Sequence, residues 1–408
     1  MTIQRLGAGG DGSAETAEGR LFIPFTLPGE TAEIERSGNR ARVTRLIEAS
    51  GERVTPPCPH FGACGGCALQ HMALPAYLAW KREIVATSLR LHGITADVAP
   101  VVSIEPGARR RAVFSAVKTA TGVVLGFNRA HAQEIIAIEE CPVLDPAIVA
   151  RLAALRQIAE IAVKPRKRAR MTVLAADNGL DIGLVGGGRV EASQLDRLAA
   201  FSVDPAIARL SIDGAPIFTN RRPEMAAGGL ILLPTPGGFV QAARSAEEAM
   251  AAAVIAHVGE ASPVADLFAG IGTFTMRLAR RAPVTAVDGD AVLIEALNEA
   301  LGEAARYASG LKPVTTVRRD LFVNPMSPTE LDRFGAIVFD PPAAGARAQA
   351  ERIAQSRVAK VVAVSCNPAT LARDGRILLD GGYRLTRVVP IDQFLWSAKI
   401  EAVAGFVR

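Results

Sequence analysis

Apolar and polar positions change their period several times along this chain. Over residues 1–50, short apolar runs such as Arg20-Leu21-Phe22-Ile23-Pro24-Phe25 and 41–47 are separated by Leu27-Pro28-Gly29 and Ser37-Gly38-Asn39. Strand-like runs bounded by Gly, Pro and Asn predict a small β-barrel. Residues 73–92 place Leu74, Tyr77, Leu78, Lys81, Ile84, Val85, Ser88 and Leu89 at three- and four-residue spacing, the period of a helix. Between 100 and 225, β runs at 112–118, 123–127 and 170–175 alternate with polar turns, which predicts an α+β region. From about 235, apolar strands at 264–268, 284–287, 336–339 and 360–364 alternate with Ala-rich helices. That texture means βαβ units and a mostly parallel, Rossmann-like sheet. The expected organisation is a barrel at 1–50, a middle α+β domain at 51–230 and an α/β domain at 231–408.

Length and composition change this picture little. A chain of 408 residues suits two or three domains. With 49% hydrophobic and 21% charged residues it is ordinary globular protein rather than a disordered chain. No apolar run approaches the ~18 residues of a membrane span. The start, Met1-Thr2-Ile3-Gln4-Arg5, lacks a secretory pattern. A cytoplasmic monomer with no membrane partner is expected. The net charge of +5 suits a polyanionic partner only weakly.

Candidate chemistry begins at Asp266-Leu267-Phe268-Ala269-Gly270-Ile271-Gly272-Thr273, which follows an apolar strand and opens a helix expected to run to Arg280. Gly270 and Gly272 allow a ligand to approach the backbone at the strand-to-helix turn. The next strand ends at Asp288, where a carboxylate can take both ribose hydroxyls of an adenosyl ligand. Asp320, after a third strand, is placed to meet the adenine. Thr275 stands where a dinucleotide fingerprint has its third glycine. That favours S-adenosylmethionine over a nicotinamide cofactor.

Two further strands end in Asp340-Pro341-Pro342 and Ser365-Cys366-Asn367-Pro368. In open α/β sheets this edge binds ligands, so Asp340 and Cys366 reach the same crevice as the glycine turn. A cysteine in a polar, helix-breaking turn is a candidate nucleophile rather than a packing residue. Carbon 5 of uracil is too weak a nucleophile to attack a sulfonium methyl directly. A thiolate that adds to carbon 6 makes carbon 5 nucleophilic, and a base must then remove the carbon 5 proton. Glu401, at the start of a last strand expected from Ser397, is the carboxylate near the C-terminus in reach of that role, although by itself it is an ordinary strand-edge residue.

Ser365-Cys366-Asn367-Pro368-Ala369-Thr370-Leu371-Ala372-Arg373-Asp374 resembles the signature of the RNA (uracil-5-)-methyltransferase family, whose members modify 23S rRNA or tRNA. Asp340-Pro341-Pro342-Ala343-Ala344-Gly345 is similar to its D-P-x-R-x-G segment, without the Arg at 343. Ile400-Glu401-Ala402-Val403 resembles the segment carrying the family's base. Phe239-Val240-Gln241 resembles its F-x-Q element, which here continues Ala242-Ala243 instead of Val-Asn. The resemblance spans nearly the whole chain. It implies Cys366 as nucleophile, Glu401 as base, and Gln241, Phe268, Thr273, Asp288, Asp320 and Asp340 as ligand contacts. It implies an RNA substrate, with 23S rRNA favoured over tRNA. A cytosine-5 methyltransferase would carry Pro-Cys where Pro342-Ala343 stands. A non-catalytic iron–sulfur RNA-binding protein would have no reason to keep Asp340, Cys366 and Glu401 together.

The other four cysteines form a C-x5-C-x2-C run, Cys58, Cys64 and Cys67, with Cys141 far downstream. Spacing alone leaves a four-Cys iron–sulfur cluster and a structural zinc site equally open. The family resemblance implies a 4Fe-4S cluster. Basic clusters at Arg109-Arg110-Arg111, at Lys164 with Arg166-Lys167-Arg168 and Arg170, and at Arg221-Arg222 are candidate phosphate contacts. The barrel resembles the family's TRAM-type RNA-binding module, shortened so that little room remains for a first strand.

Overall fold

The computed structural model describes residues 1–130 and 132–408. The N-terminal sheet runs Arg5–Leu6, Gly12–Thr16, Gly19–Ile23, Arg40–Glu48, Thr31–Ser37. The first strand is present after all, though only two residues long. Its approach also pairs on the far side: Ile3 N–H donates to Glu30 O at 2.8 Å, Ala32 N–H donates to Met1 O at 2.9 Å, and Thr2 bridges Thr31. The sheet therefore closes on itself around Ile3, Ala14, Leu21, Ile23 and Ala41. Closure removes the exposed edges that a short sheet would otherwise present.

The helix Leu74–Leu91 begins on Pro75 in its first turn, where proline loses no hydrogen bond. It buries Tyr77, Lys81, Val85 and Leu89, each four residues apart and so stacked on one face. A lysine in this stripe requires a buried partner.

The middle sheet has seven strands, ordered Ala215–Thr219, Ile207–Ile212, Gly179–Val185, Arg168–Ala176, Arg111–Thr119, Gly122–Asn128, Ile135–Ala137. Helix Leu152–Ala162 contributes Leu155, Ile158 and Ala159 to the core on one face.

The C-terminal sheet has eight strands, ordered Val314–Arg318, Val284–Asp288, Val264–Leu267, Ala336–Phe339, Lys360–Ser365, Glu401–Val407, Arg384–Asp392, Val102–Ser103. The first five are mutually parallel. Val264–Leu267 and Ala336–Phe339 are buried at every position, as expected of strands with helices on both faces. Glu401–Val407 runs antiparallel to both its neighbours. The strand order reverses between Val264–Leu267 and Ala336–Phe339, opening a crevice at their carboxyl ends. Val102–Ser103 completes the sheet from outside, parallel to Ile391 and Asp392. Two expected boundaries moved. The helix after the glycine turn is only Thr275–Leu278, and the last strand starts at Glu401, because 397–400 form a loop held from helix Leu74–Leu91.

Candidate active site

Side by side at the strand reversal lie the segments that begin Phe268 and Asp340, tied by Asp340 N–H donating to Leu267 O at 3.2 Å. Phe268 takes φ +62°, uncommon for a residue with a side chain and typical of a strained site loop. A Cβ on Gly272 (φ +94°) would lie 2.5 Å from Leu297, whereas one on Gly270 (φ +56°) would meet nothing within 4 Å. Gly272 is thus required by packing, and Gly270 faces open space. Asp288 Oδ2 accepts from Gly270 N–H at 2.9 Å, which fixes the carboxylate beside the turn. Gly289 abuts Asp320, and Phe268 meets Phe322 with ring centroids 5.3 Å apart. Phe322 is half exposed. An acidic ribose partner, an apolar wall and a glycine turn fit an adenosyl ligand. Thr273 lies on the same turn, its carbonyl accepting from Arg277 at 2.7 Å. Beneath the turn, buried Asp266 accepts from Thr275 Oγ1 while its Oδ1 has no partner among the described residues. Burial pushes its carboxyl up to about 7.

At the other end of the crevice, residues from four distant segments meet. Gln241 and Glu401 are each 5% exposed. Gln241 Nε2 donates to Asp340 Oδ2 at 3.4 Å, and Gln393 Nε2 donates to Gln241 Oε1 at 2.9 Å and to Glu401 Oε1 at 2.7 Å. Gln393, just past the end of strand Arg384–Asp392, accepts Ala242 N–H on its Oε1 at 2.9 Å. Burial raises Glu401 to about 7 against the opposing hydrogen bond from Gln393. Burial, with the charges of Glu401 and Asp266, holds Asp340 well above the usual carboxylate range.

Cys366 sits between the last residue of its strand and Asn367, which caps helix Pro368–Asp380 by accepting Ala369 N–H at 3.1 Å. Burial and the nearby Glu401 and Asp340 push its thiol up to about 11, and Lys399 opposes them. Asn367 and Thr370 donate to Ala343 O at 3.0 and 3.2 Å, and Arg373 donates to Ala344 O at 3.0 Å. The loop that lacks the family's Arg is therefore pinned through its carbonyls by the cysteine's own helix.

The four remaining cysteines are partly buried, and all five thiols are free. Burial raises Cys64, with the charges of Cys141 and Cys58 adding to it. Burial lifts Cys67 to about 12, and Cys141, Cys64 and Cys58 add to it. Thiols that sense one another in this way share one place in the fold. Gly66 N–H donates to Cys64 Sγ at 3.4 Å, the kind of contact that stabilises a thiolate ligand. Among the described residues, however, no group of three or more His, Cys, Asp and Glu is arranged to hold a metal ion. The all-thiol donor set is chemically suited to an iron–sulfur cluster and equally to a structural zinc.

The basic segments divide. Arg166, Lys167, Arg168 and Arg170 are exposed. Arg110 is 4% exposed and bonds Glu247 Oε2 at 2.6 Å and Gln241 O at 3.1 Å, so it is an internal strut and not a phosphate contact. Arg221 donates to Asn178 O at 2.8 Å, and Arg222 pairs with Glu299 and Glu303. Arg222 is thus ion-paired, whereas Arg221 is exposed and donates only to carbonyls. Sequence reasoning missed Gln393 and Lys81's partner. The signal for the latter was a lysine in an apolar stripe; the former carried none.

A sheet whose strand order reverses at a glycine turn, with an acidic residue ending the next strand, defines a Rossmann-like methyltransferase. No protein-family model matches the chain. An uncharacterized RNA methyltransferase of Brucella suis biovar 1 (strain 1330) is 49% identical over 408 residues, covering 100% of this chain and 97% of that protein. The 23S rRNA (uracil(1939)-C(5))-methyltransferase of Edwardsiella ictaluri (strain 93-146) is 36% identical over 427 residues, covering 100% and 95%. The crystal structure of Pyrococcus abyssi tRNA (uracil-54, C5)-methyltransferase in complex with S-adenosyl-L-homocysteine shares the fold over 100% of both chains, with a TM-score of 0.77 at 22% identity. The chain belongs to the RNA (uracil-5-)-methyltransferase family. Among the described residues no helix is long and apolar enough to cross a membrane.

Proposed function

We propose that this protein transfers a methyl group from S-adenosylmethionine to carbon 5 of a uridine in RNA, with 23S rRNA the favoured substrate. The observation that carries the reading is the convergence of Gln241, Asp340, Cys366 and Glu401, from four separate segments, on one crevice beside the glycine turn.

Bound S-adenosylmethionine would supply the methyl group and a sulfonium charge that favours the Cys366 thiolate. Phe268, Gly270, Gly272, Thr273, Asp288 and Asp320 would hold it. Cys366 gives up its thiol proton to solvent, helped by the positive end of helix Pro368–Asp380, and the thiolate adds to carbon 6. Asp340, kept protonated by burial, donates to the carbonyl at carbon 4, where charge develops. Gln241 orients the same edge. After methyl transfer Glu401 takes the carbon 5 proton, and the carbon 6–sulfur bond breaks. The uridine must leave its stack to reach this crevice, or lie in an open loop.

Cys58, Cys64, Cys67 and Cys141 are proposed to hold a 4Fe-4S cluster with a structural role. The 1–50, 51–230 and 231–408 regions would then serve as RNA grip, cluster-bearing platform and catalytic domain. Relatives named for both 23S rRNA and tRNA share this fold, so tRNA is the second substrate reading. Replacing Cys366 with Ala should abolish methylation of total RNA from cells lacking the protein while leaving thermal unfolding unchanged. Mapping 5-methyluridine in that RNA identifies the target; full activity in the variant would sink the mechanism.

A further inference from the structure

Gln393 stands outside every element that the motifs singled out. It follows Asp392, the last residue of strand Arg384–Asp392, and is 1% exposed. Its side-chain amide is engaged on both atoms. One N–H goes to Gln241 Oε1, the other to Glu401 Oε1, and the oxygen accepts Ala242 N–H. A buried amide satisfied in this way has one orientation, and it imposes one on its neighbours. With Oε1 of Gln241 taken, only the Gln241 NH2 group remains to face Asp340 and the crevice.

We propose that Gln393 is a positioning residue that joins pyrimidine recognition to proton removal. It aims the Gln241 NH2 group into the crevice and holds the Glu401 carboxylate, in its ionised form, at the same place. The inference rests on the reading of Glu401 as base given above.

The neighbouring charges leave Gln393 as the group that favours ionised Glu401. Asp340 and Cys366 face the same carboxylate and would carry negative charge if ionised. Arg110 reaches only the Gln241 carbonyl and is held by Glu247. Lys81 is held by Asp392 and the Lys399 carbonyl, and Lys399 itself is exposed. A hydrogen bond donated to a carboxylate stabilises its charged form.

The test uses the full chain labelled with carboxyl-13C glutamate, and Glu401→Gln assigns the Glu401 signal. In Gln393→Met the Glu401 carboxyl should titrate about one pH unit higher than in the parent, a roughly tenfold smaller ionised fraction below the midpoint. Gln393→Glu, which sets a like charge there, should move it further. Single-turnover methylation by Gln393→Met should be slowed about fivefold at pH 7, approach tenfold at lower pH and recover as pH rises, with the KM for S-adenosylmethionine unchanged. A merely structural residue would slow the reaction equally at every pH. Gln393→Asn, one methylene shorter, serves if the Met variant is unstable. An unmoved Glu401 titration overturns the proposal whatever the activity. Wild-type methylation in Gln393→Met, with none in Glu401→Gln, removes the role of Gln393 alone. Full methylation in Glu401→Gln removes the base assignment and the proposal with it.

Discussion

Burial sets the chemistry of individual residues here more than identity does. Glu401 is raised to about 7 because strand Glu401–Val407 starts inside the protein, not at an exposed edge. With its ionised form as the proposed base, turnover should fall as pH drops through about 7, while S-adenosylmethionine binding does not follow that limb. A rate profile flat from pH 6 to 8 would contradict the assignment. The same distinction explains what the chain order revealed. Cys366 and Asp340 were legible because each ends an apolar strand, and strand ends of a parallel sheet share one edge. Arg110 was misread because three consecutive arginines look like a patch. The strand that follows has a period of two, with Ala112, Phe114 and Ala116 buried, and that register turns Arg110 inward. Gln393 was illegible because its role lies entirely in partners 152 and 8 residues away.

At the scale of elements, helix Leu74–Leu91 acts through the loop that precedes Glu401. Tyr77 Oη donates to Asp392 Oδ2 at 2.6 Å, Lys81 Nζ donates to Asp392 Oδ1 at 2.7 Å and to the Lys399 carbonyl, and Trp396 N–H donates to Tyr77 Oη at 2.7 Å. Lys81 and Asp392 are both fully buried. Removing one partner of such a pair leaves an uncompensated charge and costs about 3–5 kcal/mol. Lys81→Met should therefore lower unfolding stability in urea by several kcal/mol and slow methylation, since Gln393 adjoins Asp392. Adding Asp392→Asn should recover much of the stability; no loss in the single variant would show that the pair does not hold the loop. The helix itself was plain from its spacing. Its target was not, because periodicity identifies the buried face and not what covers it.

For the whole molecule, the cysteine segment and the loop that precedes Glu401 are physically joined: Ala68 and Leu69 N–H both donate to Trp396 O, at 2.8 and 3.0 Å. If Cys58, Cys64, Cys67 and Cys141 hold iron, protein purified without oxygen should be brown with about four irons per chain; a colourless protein with stoichiometric zinc would replace that reading. The proposed RNA surface is the part of the architecture that bulk charge described least well, because the candidate cations divide among buried, ion-paired and unpaired positions. Arg166, Lys167 and Arg170 are exposed, and among the described residues none of them forms an ion pair, whereas Arg222 is held by Glu299 and Glu303. Phosphate contacts release counterions, so each lost contact lowers the slope of log affinity against log salt by about 0.7–0.9. Replacing Arg166, Lys167 and Arg170 together with Gln should reduce that slope by about 2–3 for purified 23S rRNA. It should weaken binding without regard to sequence and leave thermal unfolding unchanged. Arg222→Gln should leave the slope as it was. An unchanged slope in the triple variant would move the RNA path off this edge of the middle sheet, and a reduced slope in Arg222→Gln would mean that RNA displaces its carboxylate partners.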